Sequence, residues 1–249
     1  MLVLISIGLA DERDMSLRAL EAARECDILL SEFYTNKINT NTEKLSNLIG
    51  KPVREISRKD LEENFNWILE EAKNKNVGIL VGGDCLVATT HYSIVLEAKK
   101  LEIPVKIIHS SSIISAIGET GLHLKKFGPY VTIPFPEKTK KSLPESIYNT
   151  IKDNKNRGLH TLCLLDIADE PMSVKQGLEI LLELEKKLGQ RVIDENTEII
   201  VCSRLGHEDK KIEYGNVKNL MEKDFKEPCV IIIPSNLHFT EATAISFLP

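Results

Sequence analysis

The sequence predicts an α/β protein in which short buried strands alternate with helices. Apolar runs such as 2–7 and 77–81 are continuous rather than alternating, which is typical of parallel strands covered on both faces. Between these runs, apolar residues recur every three to four positions, the spacing of one helical face. Strand and helix therefore follow one another along the chain, and this order predicts a parallel sheet with right-handed crossovers.

The first half of the chain contains five predicted strands with helices between them. Helical spacing begins at Leu17, directly after Ser16, a residue type that caps helix N-termini. Another helix begins near Ser57, whose spacing to Asp60 is a variant of the capping box. Its apolar positions repeat at three and four as far as Ala72, so we expect one continuous helix. The predicted strands span 2–7, 27–30, 53–56, 77–81 and 104–108.

The composition of the chain changes near residue 128, where prolines cluster between 129 and 144. We interpret this stretch as a linker, so the predicted domains are 1–127 and 128–249. The short spacing between 198 and 214 indicates a hairpin, and the second sheet should therefore be mixed. Predicted strands span 131–135, 159–167, 198–202, 211–214 and 230–233, and predicted helices span 144–155, 174–188 and 217–221.

The most informative stretch is the turn after the strand at 77–81. Gly82 and Gly83 can adopt positive φ and leave no Cβ in the way of a ligand. Asp84 places a carboxylate at the carboxyl end of the strand, where open α/β sheets bind ligands. An ordinary strand-to-helix turn with a capping aspartate is the alternative. In either case we expect a helix after Asp84 that continues to about Lys100.

Composition excludes several classes of function. The 249 residues are 42% hydrophobic and 28% charged, as in soluble globular proteins. A net charge of −5 gives no support for a nucleic-acid partner. The N-terminus lacks the basic region of a signal peptide, and no apolar run reaches the roughly eighteen residues of a spanning helix, so we expect no membrane association. Five widely spaced cysteines without a Cys-x-x-Cys pair fit the reducing cytoplasm.

Motifs of metal and nucleophilic catalysis do not occur in the sequence. The six histidines show no His-x-x-x-His or Glu-x-x-His spacing, so no metal site is predicted. The sequence contains no Gly-x-Ser-x-Gly, no P-loop and no complete Gly-x-Gly-x-x-Gly. A hydrolase, a kinase and a Rossmann dehydrogenase are therefore not supported. Transfer of a methyl group from a sulfonium needs only a dry, well-oriented site of backbone groups and small residues.

Several longer motifs occur in a fixed order along essentially the whole chain. They are Asp11-Glu12-Arg13-Asp14, Glu32-Phe33-Tyr34-Thr35, Gly83-Asp84 with 86–91, Ser112-Ile113 with 115–118, Thr120-Gly121-Leu122, Lys126-Phe127-Gly128, Gly158-Leu159-His160-Thr161 with 165–167, and Leu237-His238. Together they resemble the diphthine synthases, a branch of the tetrapyrrole-methylase class of S-adenosylmethionine-dependent methyltransferases.

The resemblance implies two α/β domains of the tetrapyrrole-methylase type, with the donor S-adenosyl-L-methionine in a cleft between them and held mostly by backbone groups. S-adenosyl-L-homocysteine is the implied product, and no metal is involved. Residues at matching cofactor-binding positions are Leu9, Ala10, Asp84, Val87, Ser112, Ile113, Leu165, Leu205 and Cys229. The catalytic residues are unknown.

The resemblance also implies the substrate and the assembly. Members of the family act as cytoplasmic homodimers in diphthamide biosynthesis. They methylate the amino group of the 3-amino-3-carboxypropyl-histidine on translation elongation factor 2, which gives diphthine. Glu32, Tyr34 and His160 are candidates for the group that deprotonates this amine, with water as the alternative proton acceptor.

This chain departs from the family pattern at several positions. The loop before Asp11 is two residues shorter than usual, Cys85 and Ser111 replace prolines, and Cys229 replaces a histidine. Backbone contacts to the donor survive such changes. Two alternatives remain: a corrin-pathway C-methyltransferase of the same fold, and a non-catalytic ligand-binding or scaffold module.

Overall fold

A computed structural model describes residues 1–139, 143–168 and 170–249. Residues 140–142, within the predicted linker, lie outside the described residues. The chain forms two compact units, Met1–Ile114 and Ser115–Pro249. Each unit contains its own five-stranded sheet.

The sheet of the first unit is entirely parallel, as predicted. Its strands are β1 (Leu2–Ser6), β2 (Ile28–Glu32), β3 (Val53–Glu55), β4 (Val77–Val81) and β5 (Val105–Ile108). They lie in the order β3-β2-β4-β1-β5, and every residue of the central strands β1 and β4 is buried. The continuous apolar runs therefore reflect burial on both faces of the sheet.

Helices cover the two faces of this sheet. They are α1 (Leu17–Glu25), α2 (Thr42–Ile49), α3 (Arg58–Glu62), α4 (Asn66–Asn74) and α5 (Tyr92–Lys100). Leu2 and Leu4 pack in one core with α3, α4 and α5, while Val3 and Ile5 pack in another core with α1 and α2. Successive side chains of β1 thus point to opposite layers, which makes the first unit a three-layer α/β structure.

The predicted helix from Ser57 to Ala72 is interrupted, so that prediction was wrong in its continuity. The capping box of Ser57 and Asp60 is present at the start of α3. The helix then breaks because the N–H of Asn64 bonds to the carbonyl of Lys59 at 2.9 Å, five residues back, and α4 starts two residues later. The apolar positions of both helices still share one core, so their spacing predicted burial but not the break.

The second unit has the predicted mixed sheet. Its strands are β6 (Val131–Ile133), β7 (Thr161–Leu165), β8 (Glu198–Ser203), β9 (Lys211–Asn216) and β10 (Cys229–Ile233). They lie in the order β6-β7-β10-β8-β9, with β6 and β7 parallel and the other neighbours antiparallel. Strands β8 and β9 form the hairpin that their spacing indicated.

The remaining helices lie between residues 113 and 245. They are α6 (Ile113–Ala116), α7 (Glu145–Asn156), α8 (Val174–Leu188), α9 (Val217–Met221) and α10 (Phe239–Ile245). Helices α8 and α9 have the predicted bounds, and α10 was not predicted. A 3-10 turn, Ile117–Thr120, follows α6 directly.

The stretch 115–127 belongs to the second unit, although the proline cluster suggested a boundary at 127/128. Its end pairs with the residue that precedes β7: the N–H of His160 bonds to the carbonyl of Lys126 at 2.8 Å, and the N–H of Gly128 bonds to the carbonyl of His160 at 2.9 Å. The N–H of His123 bonds to the Glu241 carboxylate at 2.8 Å. Hydrogen bonding of its backbone therefore decides where this stretch belongs, and composition alone does not reveal that.

All five cysteines are buried free thiols. Burial raises the pKa of Cys163, Cys202 and Cys229 to about 12 and that of Cys26 to about 11.

Because the thiolate is the reactive form, we expect Ellman's reagent to label the native protein at pH 8 only as fast as the protein unfolds. In guanidinium chloride, where the unfolded chain exposes all five thiols, the same protein should react at once and release five equivalents of nitrothiobenzoate per chain. Rapid native labelling would contradict this packing.

No helix in the described part of the chain is long and apolar enough to span a bilayer.

Candidate functional site

The loops after β1 and β4 are joined at the carboxyl edge of the parallel sheet. Gly8 and Gly83 exchange two backbone hydrogen bonds, of 3.1 and 2.7 Å, and both have positive φ, +110° and +73°. A Cβ on Gly8 would lie 2.4 Å from the Cβ of Asp14, so only glycine fits there. The N–H of Cys85 bonds to the hydroxyl of Ser6 at 2.9 Å. Two neighbouring loops are thereby held together at the edge where parallel sheets bind ligands.

The chain after β4 is a loop through His91, and the helix expected directly after Asp84 begins only at Tyr92. Asp84 instead closes a turn: its carboxylate accepts the N–H of Leu86 at 3.0 Å, and its carbonyl accepts the N–H of Val87 at 3.1 Å. Ala88 then takes a left-handed φ of +55°, which a continuing helix would not allow. Local turn bonds therefore outcompete helix formation here.

Asp84 also ties this loop to the loop that follows β5. Asp84 is only 6% exposed. One of its carboxylate oxygens accepts hydrogen bonds from His109 Nδ1 at 2.9 Å and from the N–H of Ser110 at 3.2 Å. The hydroxyl of Ser110 reaches the carbonyl of Asp14 at 3.5 Å, which brings in the loop after β1. Three loops are thus interlocked around one buried carboxylate.

The loop after β1 is held by its own carboxylates. Asp14 accepts the N–H of Ala10 at 2.7 Å, and the carbonyl of Ala10 accepts the N–H of Asn39 at 2.7 Å. Asp11 pairs with Arg13, and the hydrogen bonds from Arg13 outweigh burial and keep the pKa of Asp11 below its ordinary value. The backbone N–H and C=O of Ala10 therefore both have partners within the protein.

Five of the nine predicted cofactor-binding residues lie on these three loops, and a sixth, Ile113, begins α6 directly after the third loop. The five are Leu9, Ala10, Asp84, Val87 and Ser112. The other three lie in the second unit, at one end of its sheet: Leu165 ends β7, Cys229 begins β10, and Leu205 follows β8. The fold thus brings the nine residues into two groups, and their contact with a donor stays a prediction.

The carboxylate of Glu32 at the end of β2 is wholly buried and accepts the N–H of Tyr34 at 2.9 Å and the N–H and hydroxyl of Thr35. His91 lies beside it, with Nε2 3.8 Å from the Glu32 carboxylate. Burial outweighs this neighbour and lowers the pKa of His91. Burial, followed by the Glu32 charge, raises the pKa of Tyr34. Neither Glu32 nor Tyr34 is placed to receive a proton from a substrate.

His160 is equally enclosed, in the second unit. Its Nδ1 accepts the N–H of Ser235 at 2.9 Å, which leaves the proton on Nε2, 3.1 Å from the Glu241 carboxylate. The residue has no exposed surface, and burial lowers its pKa despite Glu241. Both ring nitrogens are therefore used to hold the fold.

His109 lies at the candidate site, although the sequence analysis did not single it out. It lies directly after β5, at the same edge as Asp84, and its side chain is 66% exposed. Its position after a parallel strand was the available signal, because residues there line the ligand edge of such sheets. Its pairing with Asp84, 25 residues earlier, is a property of the tertiary structure alone.

Comparison with known proteins agrees with this architecture. The profile of the tetrapyrrole (corrin/porphyrin) methylases matches residues 1–221. The chain is 46% identical to the diphthine synthase of Methanocaldococcus jannaschii and 44% identical to that of Methanococcus maripaludis, over 100% of this chain and 98% of each relative. A crystal structure of diphthine synthase superimposes with a TM-score of 0.90 at 34% identity, covering 98% of this chain and 94% of that one. The chain therefore belongs to the tetrapyrrole (corrin/porphyrin) methylase family of methyltransferases, within its diphthine synthase group.

Proposed function

We propose that this protein is an S-adenosylmethionine-dependent N-methyltransferase that makes diphthine on translation elongation factor 2. The observation that carries the proposal is the full-length identity of 46% with a curated diphthine synthase. The accepting group would be the amine of the 3-amino-3-carboxypropyl-histidine on that factor. We also infer a cytoplasmic homodimer, as in the family that the motifs resemble.

The loops at the carboxyl edge of the first sheet suit a donor bound through backbone groups. A Cβ on Gly83 would meet, among the described residues, only Asn36 Nδ2 within 4 Å, at 3.6 Å, so the turn leaves space beside its main chain. Leu9, Asp84, Val87 and Ser112 would line this part of the site. When bound, S-adenosylmethionine supplies a methyl group already activated by a sulfonium.

The chain's own task is then to orient, to exclude water and to accept a proton. The Gly8–Gly83 bridge and the Asp84 contacts hold three loops in one arrangement through bonds within the protein. Preorganisation of this kind reduces the entropic cost of bringing two reactants together. The substrate amine is the nucleophile, so no nucleophilic side chain is required, which agrees with the lack of a hydrolase or kinase motif.

A tetrapyrrole C-methyltransferase is the second candidate, favoured by the description of the family as corrin and porphyrin methylases. The curated relatives at 44–46% identity favour diphthine synthesis over it.

The decisive experiment is transfer of labelled methyl from S-adenosylmethionine to purified elongation factor 2 that carries the carboxypropyl adduct. We expect label on the factor, confirmed at the modified histidine by mass spectrometry, and none on the unmodified factor. Label on a corrin precursor instead would support the second candidate. Donor binding without any transfer would indicate a non-catalytic module.

A further inference from the structure

We propose that His109 is the proton acceptor for the substrate amine and that Asp84 is its positioning residue. The proposal rests on the proposed function and adds a catalytic residue to it. The sequence motifs leave that role open.

The reaction requires a proton to leave the substrate before each methyl transfer. An alkylamine is largely protonated at neutral pH, and its nitrogen lone pair is then unavailable for attack. An N–H bond of the ammonium must break while a new N–H bond forms on the acceptor. Every further methylation leaves another ammonium, so the acceptor must release its proton to solvent and act again.

The residues first considered for this role are unsuited to it. The side chains of Glu32 and His160 have no exposed surface, and their polar atoms are engaged with neighbours. The phenol oxygen of Tyr34 is buried, and its raised pKa opposes ionisation. His91 lies at the same edge but is only 2% exposed, so it could neither meet a substrate nor pass a proton to water.

His109 has the opposite properties. Its Nδ1 lies 2.9 Å from the Asp84 carboxylate, an acceptor, so the Nδ1 position carries the proton in the neutral ring. Nε2 then keeps its lone pair. The side chain is 66% exposed at the ligand edge of the sheet, three residues before the predicted cofactor-binding residue Ser112. One ring nitrogen is therefore held by the protein and the other can receive a proton.

Asp84 is itself held by several hydrogen bonds, which makes it an effective positioning group. Its carboxylate also accepts the N–H groups of Leu86 and Ser110, and its side chain is 7% exposed. A carboxylate that orients an imidazole for proton transfer recurs in unrelated enzymes. When Nε2 takes the proton, the resulting positive ring lies against this negative charge, and the exposed face of the ring allows the proton to leave to water.

The test uses His109→Asn in the full-length protein, because an asparagine amide can keep the hydrogen bond to Asp84 but cannot accept a proton. We expect methyl transfer to the modified factor to fall by about a hundredfold or more, the usual contribution of a general base. Calorimetry should show S-adenosylmethionine affinity within about twofold of wild type, because the loops stay interlocked. His109→Ala should regain part of its rate in added imidazole.

A second measurement addresses the ring directly. Nitrogen NMR of the free wild-type protein should show His109 protonated at Nδ1, and Asp84→Asn should remove that preference. Wild-type turnover in His109→Asn, a large loss of donor affinity in it, or an Nε2-protonated ring would each overturn the assignment of His109. A wild-type protein that methylates no elongation factor 2 would instead defeat the proposed function.

Discussion

Gly8→Ala is expected to lower the free energy of unfolding by about 3 kcal/mol or more, as the sum of backbone strain and overpacking. The φ of Gly8 is +110°, a region that alanine rarely adopts, and the new Cβ would lie 2.4 Å from the Cβ of Asp14. Relief of that overlap must move the loop that bonds to Gly83. We therefore also expect weaker binding of S-adenosylmethionine, measured by calorimetry at a temperature where the variant stays folded.

Gly50→Ala is the matched control for Gly8→Ala. Gly50 ends α2 with a φ of +82°, but a Cβ there would meet nothing within 4 Å among the described residues. The substitution should lower the free energy of unfolding by only about 1–2 kcal/mol, the cost of a left-handed backbone conformation for alanine. Binding of S-adenosylmethionine should not change. Equal losses of stability in the two variants, by urea denaturation, would show that the contact with Asp14 is relieved without cost.

Glu241→Gln is expected to destabilise the protein by about 3–5 kcal/mol, the usual cost of removing one partner from a buried charged network. Glu241 has no exposed surface and accepts from the backbone N–H groups of His123 and His238, from the Lys126 ammonium and from His160 Nε2. The amide that replaces it carries no charge and brings donors where only acceptors fit. Urea denaturation of both proteins measures the difference.

The same residue should make stability depend on pH. Burial alone would raise the pKa of Glu241, but the hydrogen bonds from Lys126, His238, His123 and His160 outweigh it, and the pKa lies below its ordinary value. A lowered folded-state pKa stabilises the protein above the unfolded-state value of about 4.3, and this contribution is lost as the pH falls below it.

Wild type should therefore lose more stability between pH 6 and pH 3 than Glu241→Gln does. Glu179→Gln provides the control, because Glu179 is an exposed residue of α8. It should change stability by no more than about 0.5 kcal/mol. Parallel pH curves for wild type and Glu241→Gln would show that the Glu241 network adds nothing to acid sensitivity.

Where local pattern and burial agree, the sequence predicted the structure well. The helix Val174–Leu188 and the parallel strand Val77–Val81 have the predicted bounds. The helix has an apolar residue every three or four positions along its buried face. The strand is apolar throughout and all of its residues are buried. The family and its methyltransferase activity were also predicted correctly, because the motifs extend over the whole chain and are confirmed by the comparisons.

The errors occur where bonds between distant residues or short turn bonds decide the conformation. Residues 85–91 were expected to be helical, but Asp84 forms a turn and Ala88 has a left-handed φ. Helix α10 was not predicted, because its start depends on a capping box from His238, a residue seldom found at that position, to Glu241. The hydrogen bond of Asn64 to Lys59 breaks a helix whose apolar spacing continues without interruption.

The sequence by itself determined the two sheets with their helices, the family and the glycine turn after β4. The spacing of hydrophobic residues, the glycines and the ordered motifs that predict them can all be read along the chain. Only the tertiary structure decided which polar groups face one another. It buried Glu32 beside His91, committed His160 to Glu241 and brought Asp84 to His109. The physical reason is that hydrogen bonds across 25 or more residues depend on how loops from separate strands meet at the sheet edge, and no local pattern records that geometry.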